Sequence, residues 1–244
     1  MLIASKRTSE AVPLRREFVQ RGRRGAPQPG ILSEMVFKHD HLGLDLYLLH
    51  RMISSAAPWD AGKDAGVWAR ALGLATSEEQ QNAGRVSRIF RRLDEQYGLV
   101  RRDGARRGGK VYALQEDGSR EPYTSPAGGY SKLPFAYWRD GWHRELSLSA
   151  KAVMLIGLSL KPGFIMPQPQ VKTWYGISAD TWGKGVLELR KAHLLDTRTG
   201  KDRDWLRGKG YRFDIEYSML APFNTRAEPV KKKEEPEVAV SEEA

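Results

Sequence analysis

The stretch SEEQQNAGRVSRIFRRLDEQYGLV, residues 77–100, carries the strongest fold signal in the chain. Ser77 followed three residues later by Gln80 is a capping-box pattern, which predicts the start of a helix. Apolar residues then recur at helical spacing up to Tyr97-Gly98, and Leu99-Val100 has the composition of a strand. The pattern therefore predicts a long amphipathic helix that runs directly into a β-strand.

The residues around this stretch complete a first unit. Apolar spacing predicts a helix that starts near His41 and is closed by Pro58, and a short helix over residues 65–72 that stops at Gly73. After the long helix, a loop rich in Gly and Arg leads to a second strand that begins at Val111. The predicted order is helix, helix, turn, helix, hairpin.

The same order recurs downstream. Ser149 is predicted to cap a helix that ends at Pro162-Gly163, and a short helix then stops at Gly176. Ser178 is predicted to cap a longer third helix, and a polar loop over residues 196–210 precedes a strand with period-two alternation. This internal repeat predicts an α+β, helix-rich fold with two winged helix-turn-helix domains in tandem and disordered tails.

Composition suggests the domain boundaries. Residues 1–30 are basic and end in a Gly- and Pro-rich stretch, which predicts a flexible N-terminal arm. Residues 31–120 and 121–225 are predicted to form the first and second winged-helix domains. Residues 226–244 are rich in Pro, Lys and Glu and lack aromatic residues, which predicts a disordered tail.

The charge of the chain favours a polyanionic partner. Forty Lys and Arg against 30 Asp and Glu give a net charge of +10, and each phosphate neutralised by such residues releases condensed counterions. Between residues 85 and 110, nine basic residues stand against three acidic ones, a local surplus of six. The surplus is concentrated on the third helix of the first unit and on the loop that follows it.

The predicted partner is double-stranded DNA, and a second copy of the chain is a further candidate. Asn and Gln can bond adenine bidentately, Arg can bond guanine, and cations in a wing can contact phosphates or the minor groove. In the first unit the predicted DNA-binding residues are Gln80, Gln81, Asn82, Arg85, Arg88, Arg92, Arg101, Arg102, Arg106, Arg107 and Lys110. In the second unit they are Ser178, Thr181, Lys184, Arg198, Lys201, Arg203, Arg207 and Lys209.

Motifs that would indicate an enzyme do not hold up. Residues 104–110, GARRGGK, fit a phosphate-binding loop, but Val111 stands where that loop needs a hydroxyl and a strand is predicted to follow. His39 and His41 lack the carboxylate or cysteine cluster that a metal site would require. The sequence therefore predicts a non-enzymatic protein without a cofactor.

The absence of cysteine and of any bilayer-length apolar stretch predicts a cytoplasmic protein without a membrane partner. The N-terminus also lacks the apolar run of a secretory signal.

Residues 132–153, KLPFAYWRDGWHRELSLSAKAV, together with residues 174–182, WYGISADTW, resemble a group of actinobacterial tandem winged-helix proteins. The repeated plan also resembles plasmid replication initiators, in which two winged-helix domains bind repeated origin sequences. The resemblance spans residues 40–220 and implies DNA binding, with one domain commonly mediating dimerisation.

Three functions remain open from the sequence. The first is a sequence-specific transcription regulator, the second is a replication initiator of a plasmid or mobile element, and the third is a protein-interaction scaffold.

Overall fold

The computed structural model describes residues 9–23, 25–74, 79–104, 109–203 and 211–225. In residues 79–81, 201–203 and 211–213 it describes the backbone alone. The predicted tail, residues 226–244, therefore lies outside the described part of the chain.

Residues 9–23 and 25–30 are built into the fold, so the prediction of a flexible arm is wrong for these residues. Strand β1 (Ala11–Arg15) pairs antiparallel with the later strand β7 (Tyr130–Pro134), and the alternating residues Val12 and Leu14 point into the core together with Phe18. Sequence periodicity did not predict strand β1, because the strand is short and contains Pro13. The elements are β1 (Ala11–Arg15), a 3₁₀ turn (Arg16–Phe18), and a hairpin of β2 (Gln20–Arg23) and β3 (Ala26–Pro29).

The first unit follows. Its elements are α1 (Ile31–Phe37), α2 (His41–Ile53), β4 (Asp60–Ala61), α3 (Ala65–Ala71), α4 (Glu79–Glu95), β5 (Val100–Asp103) and β6 (Lys110–Ala113). Asp40 caps α2, since its carboxylate accepts the Gly43 N–H at 3.0 Å. The three strands form an antiparallel sheet in the order β4-β6-β5.

The second unit is reached through β7 (Tyr130–Pro134) and two single-turn helices, α5 (Ala136–Arg139) and α6 (Trp142–Glu145). It consists of α7 (Leu148–Ser159), β8 (Phe164–Ile165), α8 (Gln168–Tyr175), α9 (Ala179–Lys191), β9 (Leu195–Arg203) and β10 (Tyr211–Met219). Its sheet order is β8-β10-β9.

Two details of the second unit differ from the sequence prediction. Ser147, and not Ser149, caps α7, with its hydroxyl accepting the Ala150 N–H at 3.2 Å. Residues 195–203, predicted mostly as a loop, form strand β9, because every residue from Leu195 to Arg203 pairs with β10. Ser178 caps α9 as predicted.

Counted from α2 and from α7 as the first helix of each unit, both units share the order helix, strand, helix, helix, strand, strand, and in both sheets the third strand lies between the first two. The predicted helices and hairpins recur in both units. The short strands β4 and β8 were not predicted, because two residues carry too little pattern to be recognised.

The two units pack around one continuous hydrophobic core, and a buried ion pair joins them. Lys151 on α7 donates to both carboxylate oxygens of Asp45 on α2, at 2.7 and 2.8 Å, and to the His143 carbonyl at 2.7 Å. The Tyr137 hydroxyl donates to the same carboxylate at 3.3 Å. Burial raises the pKa of Asp45 in spite of the lysine beside it.

A second buried cluster ties the N-terminal strand to the first unit. The fully buried Glu116 carboxylate lies 3.1 Å from Nε of Arg15 and 3.9 Å from Nε of Arg51. The Arg51 guanidinium stacks over the Tyr123 ring at 3.6 Å from its centroid. The Arg15 side chain is therefore packed within the fold and is not part of a solvated basic arm.

None of the helices in the described ranges is long and apolar enough to cross a bilayer.

Replacing Lys151 with Met should lower the free energy of unfolding by about 3 kcal/mol, because it leaves the Asp45 carboxyl buried without its cation. Urea denaturation measures the change. The matched control is Lys161→Met, which alters an exposed lysine just beyond the same helix and should shift stability by less than about 0.5 kcal/mol.

The double variant Asp45→Leu/Lys151→Met removes both charges and should recover most of the stability that Lys151→Met removes. Equal behaviour of Lys151→Met and Lys161→Met would show that the pair does not hold the units together.

Candidate nucleic-acid interface

The exposed face of α4 carries a row of arginines. Arg85, Arg88 and Arg91 are spaced three residues apart and are exposed, opposite the buried stripe of the helix. Within the described residues none of the three forms an ion pair with a carboxylate, and Arg88 donates one long bond of 3.4 Å to the Gly84 carbonyl. The row therefore presents guanidinium groups to solvent.

Arg92, predicted to contact DNA, is instead bound within the protein. Its Nε and Nη2 donate to the Asp40 carboxylate at 2.9 and 2.6 Å, and the Tyr97 hydroxyl donates to the same group at 3.1 Å. Burial acts to raise the pKa of Asp40, but the hydrogen bond and charge of Arg92 outweigh it and hold that pKa below its ordinary value. The pair fixes α4 against the N-terminus of α2.

Asn82 was predicted to face outward, and that prediction is wrong because the residue is only 7% exposed. Asn82 lies four residues before Val86 and seven before Ile89, and both of these are buried, so all three share the inward stripe of α4. Gln80 and Gln81 lie in the first turn of α4, and their side chains are outside the described part of the structure.

The cations of the β5–β6 hairpin have different roles. Arg101 is exposed, and its guanidinium lies 5.1 Å from the ring of Tyr112, its partner across the two strands. Arg102 is half-buried and packs on α4, where Nη2 approaches the Ser87 hydroxyl at 3.4 Å. Lys110 pairs with Asp60 at 3.2 Å, which ties the hairpin to β4. Arg106 and Arg107 lie outside the described residues.

In the second unit the four predicted contact residues whose side chains are described all have partners close by in the sequence. The Ser178 hydroxyl accepts the Thr181 N–H at 3.1 Å and lies 2.8 Å from the Thr181 hydroxyl. Lys184 pairs with Asp180 at 2.8 Å, and Arg198 pairs with Asp196 at 3.1 Å, all on the surface. Lys201 and Arg203 lie in β9 with only their backbone described, and Arg207 and Lys209 are outside the described ranges.

The third helices of the two units can be aligned through Leu93 and Leu189. Both are fully buried, and both carbonyls accept the N–H of the residue just before the following strand, at 2.9 and 2.8 Å. Counting back from these leucines, Arg85, Arg88 and Arg91 correspond in turn to Thr181, Lys184 and Leu187. At these three exposed positions α4 carries only cations, whereas α9 is mixed and its Leu187 is 53% exposed.

The same alignment places Arg92 opposite Glu188. The Glu188 carboxylate accepts the backbone N–H of Ser147 at 2.7 Å and its hydroxyl at 2.5 Å. Ser147 caps α7 just as Asp40 caps α2, so each third helix grips the capping residue of the first helix in its own unit. The sequence analysis did not predict this contact. Its signal in the sequence was that Arg92 and Glu188 are both charged and each stands one residue before the aligned leucine.

A cavity of about 580 Å³ lies between α4 and the turn that joins α1 to α2. We name it the basin. Its lining includes His39 and His41 on one side and Arg85 and Arg88 on the other, while Ile89 contributes apolar surface. It adjoins the arginine row of α4 because both contain Arg85 and Arg88.

His50 fixes the hairpin to α2 from below. Its Nε2 donates to the Val111 carbonyl of β6 at 2.9 Å, and its ring packs against Trp68 and Phe90. Burial lowers the pKa of His50 to about 4, because a buried imidazolium loses its hydration.

Among the described residues, no three acidic or histidine side chains come together in a group that could hold a metal ion. Comparisons with protein-family models, with curated proteins and with solved structures found no match to this chain. The function of the chain is therefore inferred from the geometry described above.

His50 should make stability depend on pH. Since its folded pKa of about 4 lies below the ordinary value of 6.5, the unfolded chain takes up the proton first. Stability is then fully present above about pH 6.5 and is lost as the pH falls towards 4, by roughly 3 kcal/mol at 1.36 kcal/mol per pKa unit.

Urea denaturation from pH 7.5 to 4 measures this loss. His50→Gln should show a smaller pH dependence than the wild type, whereas His193→Gln, at an exposed histidine, should reproduce the wild-type profile. A wild-type slope retained in full by His50→Gln would contradict the assignment.

Proposed function

We propose that the chain is a sequence-specific double-stranded DNA-binding protein, acting in the cytoplasm as a transcription regulator, with two winged-helix domains at residues 31–120 and 121–225. The repeated order of helices and strands and the matching sheet orders support the winged-helix assignment. In such a domain the third helix enters the major groove and the hairpin contacts the flanking backbone.

The observation that carries the proposal is the row Arg85, Arg88 and Arg91. A major groove about 12 Å wide accepts one helix, and arginine is the commonest side chain that bonds guanine bidentately. Guanidinium groups already held by carboxylates would have to break those pairs first. Within the described residues these three have no such partner, while the buried stripe and the Arg92–Asp40 pair hold the helix in place.

The hairpin supports the same face. Arg101 projects from β5 beside α4, and Lys110 fixes the other strand to β4. Contacts from such cations would go to phosphates and set the position of the protein without reading sequence. The first unit would then dominate recognition.

Replacing Arg85 and Arg88 with Ala should remove site preference, because each bidentate bond from arginine to a base contributes about 1–3 kcal/mol of discrimination. The measurement is fluorescence anisotropy with a duplex selected from random DNA and with a scrambled duplex, over a salt series. The matched control Arg190→Ala removes an exposed arginine from α9 and should retain the preference. An unchanged preference in Arg85→Ala/Arg88→Ala would contradict α4 as the recognition helix.

The salt series also tests the scaffold alternative. Binding through phosphates requires affinity to fall steeply as salt rises, with a slope near −0.9 for each phosphate contact. A protein-interaction scaffold would bind neither duplex at any salt concentration.

A second candidate, a plasmid or mobile-element replication initiator, is favoured by the apolar surface of the second unit. Of the five large apolar side chains exposed among the described residues, four belong to this unit: Ile165, Leu187, Ile215 and Leu220. Exposed apolar residues in one unit fit a division of labour in which that unit dimerises and the other binds DNA.

If the second unit mediates dimerisation, Leu187→Glu should convert a dimer into a monomer, because it would bury a charge in the interface. Sedimentation velocity measures the mass in solution. Phe37→Glu makes the same change at an exposed apolar residue of the first unit and should leave the mass unchanged. A wild-type monomer would remove the support for this candidate.

A further inference from the structure

The basin has the volume of a ligand-binding site and is open to solvent. Its volume of about 580 Å³ falls within the range of about 300–1,000 Å³ that is typical of small-molecule sites. Leu42 and Ile89 contribute apolar surface, while the rims are polar. A ligand held there would touch the first turn of α2 and the middle of α4 together.

The charges around the basin favour an anion. Arg85 and Arg88 on one rim are exposed, and in the described part of the chain neither pairs with a carboxylate. His39 and His41 lie exposed on the opposite rim. Asp40 also lines the basin, but Arg92, Tyr97 and the Gly43 N–H already satisfy its carboxylate.

The positive charge of Lys38 contributes little to the electrostatic potential of the basin, because a carboxylate compensates it. Its ammonium pairs with Glu34 at 2.6 Å, one turn earlier on α1, and lies 5.7 Å from the Tyr97 ring centroid. The uncompensated charge of the basin therefore comes from the two arginines.

The backbone places His39 at the rim at an energetic cost. Its φ of 52° is in the left-handed region, where glycine is the ordinary residue. Hydrogen bonds from the His39 and Asp40 N–H groups to Val36 and Met35 carbonyls, at 3.1 and 2.9 Å, hold the turn in this shape. The same left-handed conformation ends α9 at His193, so it belongs to the way these helices end, and at α1 it places His39 where it lines the basin.

We propose that the basin binds phosphoryl groups, held between the guanidinium groups of Arg85 and Arg88 and the ring N–H groups of His39 and His41. Arginine presents its donors in a planar fork that matches two phosphate oxygens. The half-buried Leu42 offers most of the apolar surface that accommodates the uncharged part of an organic phosphate, since Ile89 is only 1% exposed.

Two sources can supply the phosphoryl group. One is the backbone of a DNA strand that lies beside α4. In that case the inference rests on the proposed function, and the imidazole N–H groups of His39 and His41 hold the phosphate while the guanidinium groups reach the bases. The other is a free organic phosphate, which needs no DNA. A free ligand would occupy Arg85 and Arg88 and would therefore compete with DNA for the face of α4.

The test uses the full chain and inorganic pyrophosphate as the free probe, measured by isothermal titration calorimetry. His39→Gly/His41→Ala removes both imidazoles, and Gly relieves the left-handed strain, so the fold should be retained. The matched control His193→Gly makes the same change at an exposed histidine with a φ of 56° outside the basin.

In the first arm, pyrophosphate affinity should fall at least tenfold in Arg85→Ala/Arg88→Ala and several-fold in His39→Gly/His41→Ala. It should be unchanged in His193→Gly. In the second arm, affinity for a scrambled duplex should fall several-fold in His39→Gly/His41→Ala when the DNA backbone is the source.

A weaker affinity in either arm supports the inference and identifies the source of the phosphate. Variants that match wild type in both arms, or a wild type that binds neither probe, overturn it. A wild type that binds pyrophosphate but no duplex at any salt would instead reject the proposed function and keep the basin.

Discussion

In each unit the third helix forms hydrogen bonds with the residue that caps the first helix. These bonds fix which side chains of the third helix face solvent. On α4 the Arg92 guanidinium holds the Asp40 carboxylate, and on α9 the Glu188 carboxylate holds Ser147. A helix seated only by its apolar stripe could rotate or slide by small amounts within the groove below it. A directional hydrogen bond at one edge removes that freedom, so the direction of Arg85, Arg88 and Arg91 is set.

The first helices are in turn fixed to each other. Asp45 and Lys151 join α2 to α7 inside a common core, and Glu116 binds arginines from β1 and α2. Charges buried in this way add little net stability, but they reject arrangements that would leave either partner alone. The arginine row of α4 and the mixed face of α9 consequently belong to one body. A nucleic acid that contacted both would meet surfaces with a set separation.

Elements that carry their own periodicity could be predicted from the sequence. The stripe of Val86, Ile89 and Leu93 indicated α4, and Ser178 with Gly176 marked the start of α9 and the end of α8. The cap of α7 was predicted at Ser149 because two serines stand two residues apart. Only the contact with Glu188, 41 residues away along the chain, distinguishes Ser147.

Two of the remaining errors arise from contacts that the pattern of a single segment does not show. Strand β9, LDTRTGKDR, has no apolar alternation of its own and exists because β10 pairs with it throughout. The pair of Arg92 and Asp40 was not predicted because Asp40 lies 52 residues earlier. For Asn82 the failure was local, since a polar residue on an apolar stripe was assigned to the outer face.

The contact at α4 pairs an arginine with a carboxylate, and the contact at α9 pairs a carboxylate with serine donors. This difference bears on how a chain with two similar units avoids misfolding. Tandem copies of one architecture can exchange equivalent helices during folding. If α9 docked on α2, Glu188 would meet the Asp40 carboxylate and the two negative charges would repel. If α4 docked on α7, Arg92 would meet the Ser147 N–H, a donor facing a donor. Each helix thus carries a polarity that suits the capping residue of its own half of the molecule, and the exchanged arrangement would lose these hydrogen bonds.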